Sequence, residues 1–138
     1  MNKVAWFDDI VSFSLAWKTI KHREVKNFFY DPSTKRIQTH IIDYEEKRIN
    51  AFSLFESTIE PKWEDPINKH GGEYRIDFSV TDIDTVQKVW EKLVFQTITA
   101  EFAESDLLAG IRLVDKSSSN YANTFRIEVW TKFGDRET

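Results

Sequence analysis

The chain has 138 residues, a formal net charge of −4 and no cysteine, which bounds it to one domain and leaves no disulfide, thiolate metal site or cysteine nucleophile. With 19 basic against 23 acidic residues, it lacks the broad basic surface that sequence-independent binding to a long nucleic acid requires, although a pocket for one nucleotide end needs only a few local cations. No apolar run approaches the roughly 20 residues of a membrane span and no basic-then-apolar signal pattern opens the chain, so cytoplasmic residence is expected, with the nucleus also open.

In chain order, residues 8 to 22 read as an amphipathic helix. Asp8 or Asp9 can cap it; Ile10, Phe13, Trp17 and Ile20 form one stripe with Ala16 beside it, and Lys18, Lys21 and His22 stand near the end where the helix dipole favours cations. Core packing is the preferred reading of that stripe. Residues 24 to 44 read as a β-hairpin, with residues 25 to 30 and 36 to 44 as strands around the turn Asp31-Pro32-Ser33-Thr34. The charged run from Asp43 to Arg48 reads as a solvated connection.

The least ordinary stretch runs from Glu60 to Gly72. Trp63 stands among charges between Pro61 and Pro66, with no apolar residue at helical or strand spacing, and Gly71-Gly72 closes the segment. Two readings stay open: a lid folded over the core, or an indole held out to meet a planar cation, with the Glu64 carboxylate accepting from a ligand edge that carries paired N–H donors.

From Glu73 to Ser79 the pattern alternates, with Tyr74, Ile76 and Phe78 on one face and Glu73, Arg75 and Asp77 on the other. A second helix starts at Asp82 or Asp84. Val86, Val89, Trp90, Leu93 and Val94 form its apolar stripe, ending near Phe102, and Lys88, Glu91 and Lys92 its solvated face. Trp90 reads as core in preference to a partner surface. Residues 107 to 115 and 124 to 132 form a last hairpin across Ser117-Ser118-Ser119-Asn120. Within it Phe125, Ile127 and Val129 share one face, which puts Trp130 on the other with Arg126 and Glu128. A tryptophan there is either covered by a loop or used for binding.

An enzyme such as a nucleotide phosphohydrolase is the weakest class, since there is no phosphate-cradling glycine loop and no spaced cluster of metal ligands among the carboxylates and three scattered histidines. No catalytic residue, metal or cofactor is expected.

The runs Phe52-Ser53-Leu54-Phe55, Ile59-Glu60-Pro61, Trp63-Glu64-Asp65, Asn68-Lys69 and Gly71-Gly72 resemble the signature of the cap-binding translation initiation factor 4E family. The similarity continues more loosely from Tyr74 to about Trp130. It implies an α+β fold, a curved antiparallel β-sheet with two helices packed on its convex face and the ligand on the concave face. It implies that Trp63 stacks on 7-methylguanine, that Glu64 bonds the guanine edge and that Trp130 touches the N7-methyl group. Lys116 falls near a phosphate-binding arginine of the family, keeping the charge without the bidentate fork. Glu73 stands where the family often has another such arginine, and Arg75, on the same face, is the residue that would compensate.

The resemblance also marks departures. The family's hairpin carries a second stacking tryptophan, and Ile37 takes that place here; Phe29, Tyr30 and Trp6 are the rings that could replace it, with packing preferred for each. Phe7-Asp8, Phe13 and Ile20 can be laid on the family's first helix, where its partner-gripping tryptophan falls on Ser14. The family runs hairpin then helix, and this chain helix then hairpin. Residues 1–138 are expected to be a single cap-binding domain lacking the family's C-terminal elements. The expected function is binding of the mRNA 5′ cap in translation initiation, with a scaffold or regulatory protein on the helical face. The alternative is a degenerate 4E-like interaction module or translational regulator without tight cap binding.

Overall fold

The computed structural model describes residues 10–19, 29, 40–42, 44–55, 62, 69, 71–99, 108–117 and 124–132. Its elements are α1 (Ile10–Thr19), β1 (His40–Ile42), β2 (Glu45–Lys47), β3 (Ala51–Phe55), β4 (Gly72–Ser79), a 3-10 turn (Val80–Asp82), α2 (Ile83–Thr99), β5 (Leu108–Asp115) and β6 (Thr124–Thr131). Four strands form one antiparallel sheet in the order β3-β5-β6-β4, and β1 and β2 form a separate ribbon.

The helices cover one face of the sheet because both present apolar stripes to it. On α2, Val86, Trp90 and Val94 recur every four residues and are all buried. They meet Ile111 and Leu113 of β5 and Phe125 and Ile127 of β6 in one core cluster. Lys88 and Lys92 stay exposed, as the sequence implies, and Glu91 is half-buried. On α1, Phe13 is buried in the same cluster and stacks on Trp17 at 5.7 Å; both rings meet Phe95 of α2 edge-on, at 5.8 and 5.9 Å. The fold is thus α+β, with a curved antiparallel sheet and both helices on its convex side.

The last hairpin, the facing of the β4 side chains and the core role of Trp90 agree with the sequence reading, but burial along β4 does not alternate, since Tyr74 and Ile76 are exposed as Arg75 and Asp77 are. Two other details correct it, and the start of the second helix refines it. The charged run read as a connection contains a strand: β1 pairs with β2, His40 opposite Lys47 and Ile42 opposite Glu45. Tyr44 turns the chain with φ 65°, a left-handed conformation that allows so tight a reversal, and β2, in which Glu45 and Glu46 are exposed, needs no apolar alternation. Phe29 stands in a bend rather than a strand and is fully buried, stacked on Phe52 at 5.4 Å and 5.6 Å from Phe125. It is a core ring. The second helix starts between the two aspartates named from sequence: Ser79 begins a 3-10 turn that ends at Asp82, its Oγ accepting from the Thr81 N–H at 3.3 Å, and α2 follows from Ile83 with Asp84 in its first turn. The first helix precedes every described strand. Trp6, Tyr30, Ile37 and the expected strand at residues 25 to 28 lie outside the described residues.

Candidate functional site

The strand registers build the face opposite the helices row by row. One row runs Phe55, Gly110, Trp130, Glu73; the next Ser53, Arg112, Glu128, Arg75; the third Ala51, Val114, Arg126, Asp77. Each row crosses β3, β5, β6 and β4, so residues from distant parts of the chain become neighbours.

Trp130 anchors the first row. Its indole is 2% exposed, and Phe55 meets it edge-on at 5.3 Å with an interplanar angle of 88°. Gly110, between them, makes that contact possible, since a Cβ there would collide with the Phe55 ring. A register shift between Leu108 and Gly110 sets Ala109 as the extra residue, and Ala109 packs with Trp130 and Phe55.

The second row lies directly beneath. Glu128 is 5% exposed, and one of its oxygens accepts from the Trp130 indole N–H at 3.0 Å and from an Arg112 guanidinium nitrogen at 3.2 Å. A carboxylate so deeply placed is tolerable because a full cation and a neutral donor converge on it. The Arg112 guanidinium also lies 5.5 Å from the Trp130 ring centroid, within cation–π range.

At the β4 side Arg75 donates to Glu73, and in the third row the Arg126 Nε donates to Asp77 at 2.8 Å. The hydrogen bond to the Asp77 carboxylate holds the Arg126 guanidinium above its ordinary pKa. At the far end of β5, the buried Asp115 accepts from the Ser117 N–H at 2.8 Å and pairs with Arg48 at 3.0 Å. The Lys116 N–H donates to the Thr124 carbonyl at 2.9 Å. Lys116 is therefore held at the hairpin corner, two residues beyond Val114, and half-exposed.

Of the residues named from sequence, Trp130, Arg75 and Lys116 come from three different segments and are set along β6, β4 and the end of β5. Trp63 and Glu64 lie outside the described residues. Arg75, named as compensation for Glu73, is bonded to that glutamate. The sequence reading missed Phe55, Arg112 and Glu128 as a group. Glu128 was legible, since it shares a strand face with Trp130. Phe55 and Arg112 were not, because their contacts depend on registers between strands far apart in sequence. Among the described residues no group of three or more histidines, aspartates or glutamates could hold a metal ion, and no helix is long and apolar enough to cross a membrane. The chemistry on offer is that of a binding surface: an aromatic wall, a buried carboxylate and paired guanidinium groups.

The sequence model described as Eukaryotic initiation factor 4E matches residues 1–138. Eukaryotic translation initiation factor 4E1 of Drosophila melanogaster is 26% identical over 125 residues, 90% of this chain and 46% of that protein. Ascaris suum eIF4E-3, solved with m7G cap, has a TM-score of 0.70 at 18% identity, covering 96% of this chain and 61% of that one. Schistosome eIF4E, solved in complex with m7GpppG and 4E-BP, has a TM-score of 0.68 at 22% identity, covering 99% of this chain and 62% of that one. At these identities the structural likeness is one of fold. The chain spans about half the length of the curated relative and about three-fifths of the structural ones.

Proposed function

The chain belongs to the eukaryotic initiation factor 4E family, and on that premise we propose that it binds the 7-methylguanosine cap of mRNA and acts in translation initiation in the cytoplasm. The observation that carries the reading is the family match over all 138 residues, and the Trp130 face is consistent with it. Methylation makes the purine cationic, and a cationic ring is drawn to an indole face. Trp63 stacks on the base, Glu64 accepts from the guanine edge, Trp130 flanks the methyl group, and Lys116 with Arg75 meets the phosphates. The event is recognition, with no bond made or broken.

A scaffold or regulatory protein docks on the helical side. Leu15, Trp17 and Phe95 lie there, with Leu15 exposed and Phe95 39% exposed, and 4E-BP accompanies the Schistosome relative.

A second reading is favoured by one observation: Trp130 is 2% exposed and its N–H is committed to Glu128. A family member whose ring is closed in this way acts as an interaction module or translational regulator without tight cap binding. Titration of tryptophan fluorescence with 7-methyl-GTP beside GTP separates the two. Saturable quenching that requires the methyl group and vanishes in Trp63→Ala and Glu64→Ala supports cap binding; silence with both nucleotides leaves the module reading.

A further inference from the structure

Strand β4 ends the sheet order, so β6 occupies one of its edges and, among the described residues, no strand pairs with the other. The registers decide which backbone groups face outward. The Lys116 N–H donates to the Thr124 carbonyl, and successive residues of an antiparallel strand bond to opposite neighbours. Thr124, Arg126 and Glu128 therefore bond toward β5, and Phe125, Ile127 and Val129 toward β4. Their partners Phe78, Ile76 and Tyr74 point inward, which leaves the N–H and C=O groups of Glu73, Arg75 and Asp77 directed away from the sheet.

This edge lacks the proline, lysine and bulge that commonly block the addition of a further strand. The register with β6 runs unbroken from Gly72 to Ser79. On the helix-facing side α2 leaves a strip of β4 uncovered, with Tyr74 55% and Ile76 51% exposed. On the opposite side the Arg75 and Asp77 side chains are 58% and 48% exposed. These two charges are of opposite sign and stand symmetrically about Ile76.

We propose that the outer edge of β4 pairs antiparallel with the same edge of a second copy of this chain, about a two-fold axis beside Ile76. In that register Arg75 faces the second copy's Asp77 and Asp77 the second copy's Arg75, so charges attract at two symmetric places. On the helix side Ile76 meets its own counterpart and Tyr74 meets Phe78. The outward backbone groups of Arg75 and Asp77 exchange ladder bonds. Other registers fit worse. An axis at Arg75 opposes two arginines and sets Glu73 against Asp77, and an axis at Asp77 opposes two aspartates. An axis at Tyr74 pairs Arg75 with Glu73 but sets Ile76 against Gly72, which has no side chain to cover it. Charge and apolar pattern thus select one axis. Because directly opposed residues share a face, the two four-stranded sheets become continuous, with the helices of both copies on one side and both Trp130 faces on the other. Such a dimer forms through β4 and is independent of whether the Trp130 face binds a cap.

The test begins with sedimentation velocity of the whole chain at rising concentration. The expected mass climbs from one 16.3 kDa chain toward two; a single chain's mass up to about 1 mM, the scale of very weak association, overturns the proposal. Arg75→Asp sets carboxylates opposite one another at both places and is expected to weaken association about tenfold. Combining it with Asp77→Arg is expected to recover most of that loss, with circular dichroism confirming the fold of each variant. A second pair of variants locates the axis without altering these charges. The chain has no cysteine, so Ile76→Cys supplies one thiol per copy, at a non-hydrogen-bonded pair whose Cα atoms stand about 4.5 Å apart, within disulfide reach. Oxidation is expected to link Ile76→Cys chains about tenfold faster than Tyr74→Cys chains, whose positions this axis holds roughly 13 Å apart. Equal rates, or faster linking through Tyr74→Cys, overturn the proposed axis. A dimer unaffected by Arg75→Asp lies on another surface and overturns the proposal as a whole.

Discussion

The indole N–H of Trp130 donates to Glu128, two residues earlier on the same face of β6, at 3.0 Å. The same carboxylate oxygen takes Arg112 from the neighbouring strand, so one buried acceptor fixes the orientation of a ring and joins two strands. A tryptophan on the polar face of a strand is thereby made part of a second, smaller core.

Glu128→Ala leaves the indole N–H without its acceptor and Arg112 without its counter-charge. A loss of about 1–3 kcal/mol is expected, reduced from the fully buried case because Arg112 is partly exposed. Glu128→Gln keeps an acceptor and is expected to cost less. Urea denaturation followed by circular dichroism ranks the two, and an alanine variant as stable as the wild type would show that the carboxylate secures nothing.

Gly110→Ala places a methyl group where the Phe55 ring lies. The ring must swing away, Trp130 loses its edge-on partner, and about 1–3 kcal/mol of stability goes with it. A red shift in tryptophan emission is the spectroscopic companion. The double variant Gly110→Ala, Phe55→Ala is expected to be less destabilised than the sum of its parts, since the clash and the lost contact are one event. Simple additivity would argue against the overlap.

Asp115→Ala removes a buried carboxylate that takes the Ser117 N–H and faces Arg48. The expected cost is about 2–4 kcal/mol, because a largely buried guanidinium is left unpaired. Asp115→Asn retains the turn acceptor but not the charge and falls between the alanine variant and the wild type. Thermal melting of the three proteins checks the order.

Trp90→Ala opens a cavity under α2 in the main core and is expected to destabilise by about 3–5 kcal/mol. If chemical denaturation finds a loss below about 1 kcal/mol, Trp90 does not pack as its burial indicates.

Helix α2, strand β4 and the final hairpin were legible in the sequence because their periodicities are local: Val86, Trp90 and Val94 recur at helical spacing, and Ile76 and Asp77 alternate. Strand β2 was hidden by its composition, since Glu45, Glu46 and Lys47 carry no apolar alternation and the turn before them uses a left-handed tyrosine in place of glycine or asparagine. The core position of Phe29 was weighed correctly, although it is reached from a bend and not a strand.

By itself, the sequence determined the α+β class, the apolar stripes of both helices, the face of β6 on which Trp130 stands and, through the Trp63-Glu64 signature, the family. The stripes and the strand face follow from the order of side chains along one segment and the fixed geometry of the backbone, whereas the family and with it the α+β class follow from the resemblance. Only the tertiary structure decided that Phe55 closes over Gly110 onto Trp130, that Arg112 shares Glu128 with the indole, and that Arg75 and Arg126 are each held by a carboxylate. Such pairings depend on register between strands distant in the chain, and a slip of one residue would send every side chain involved to the other face of the sheet.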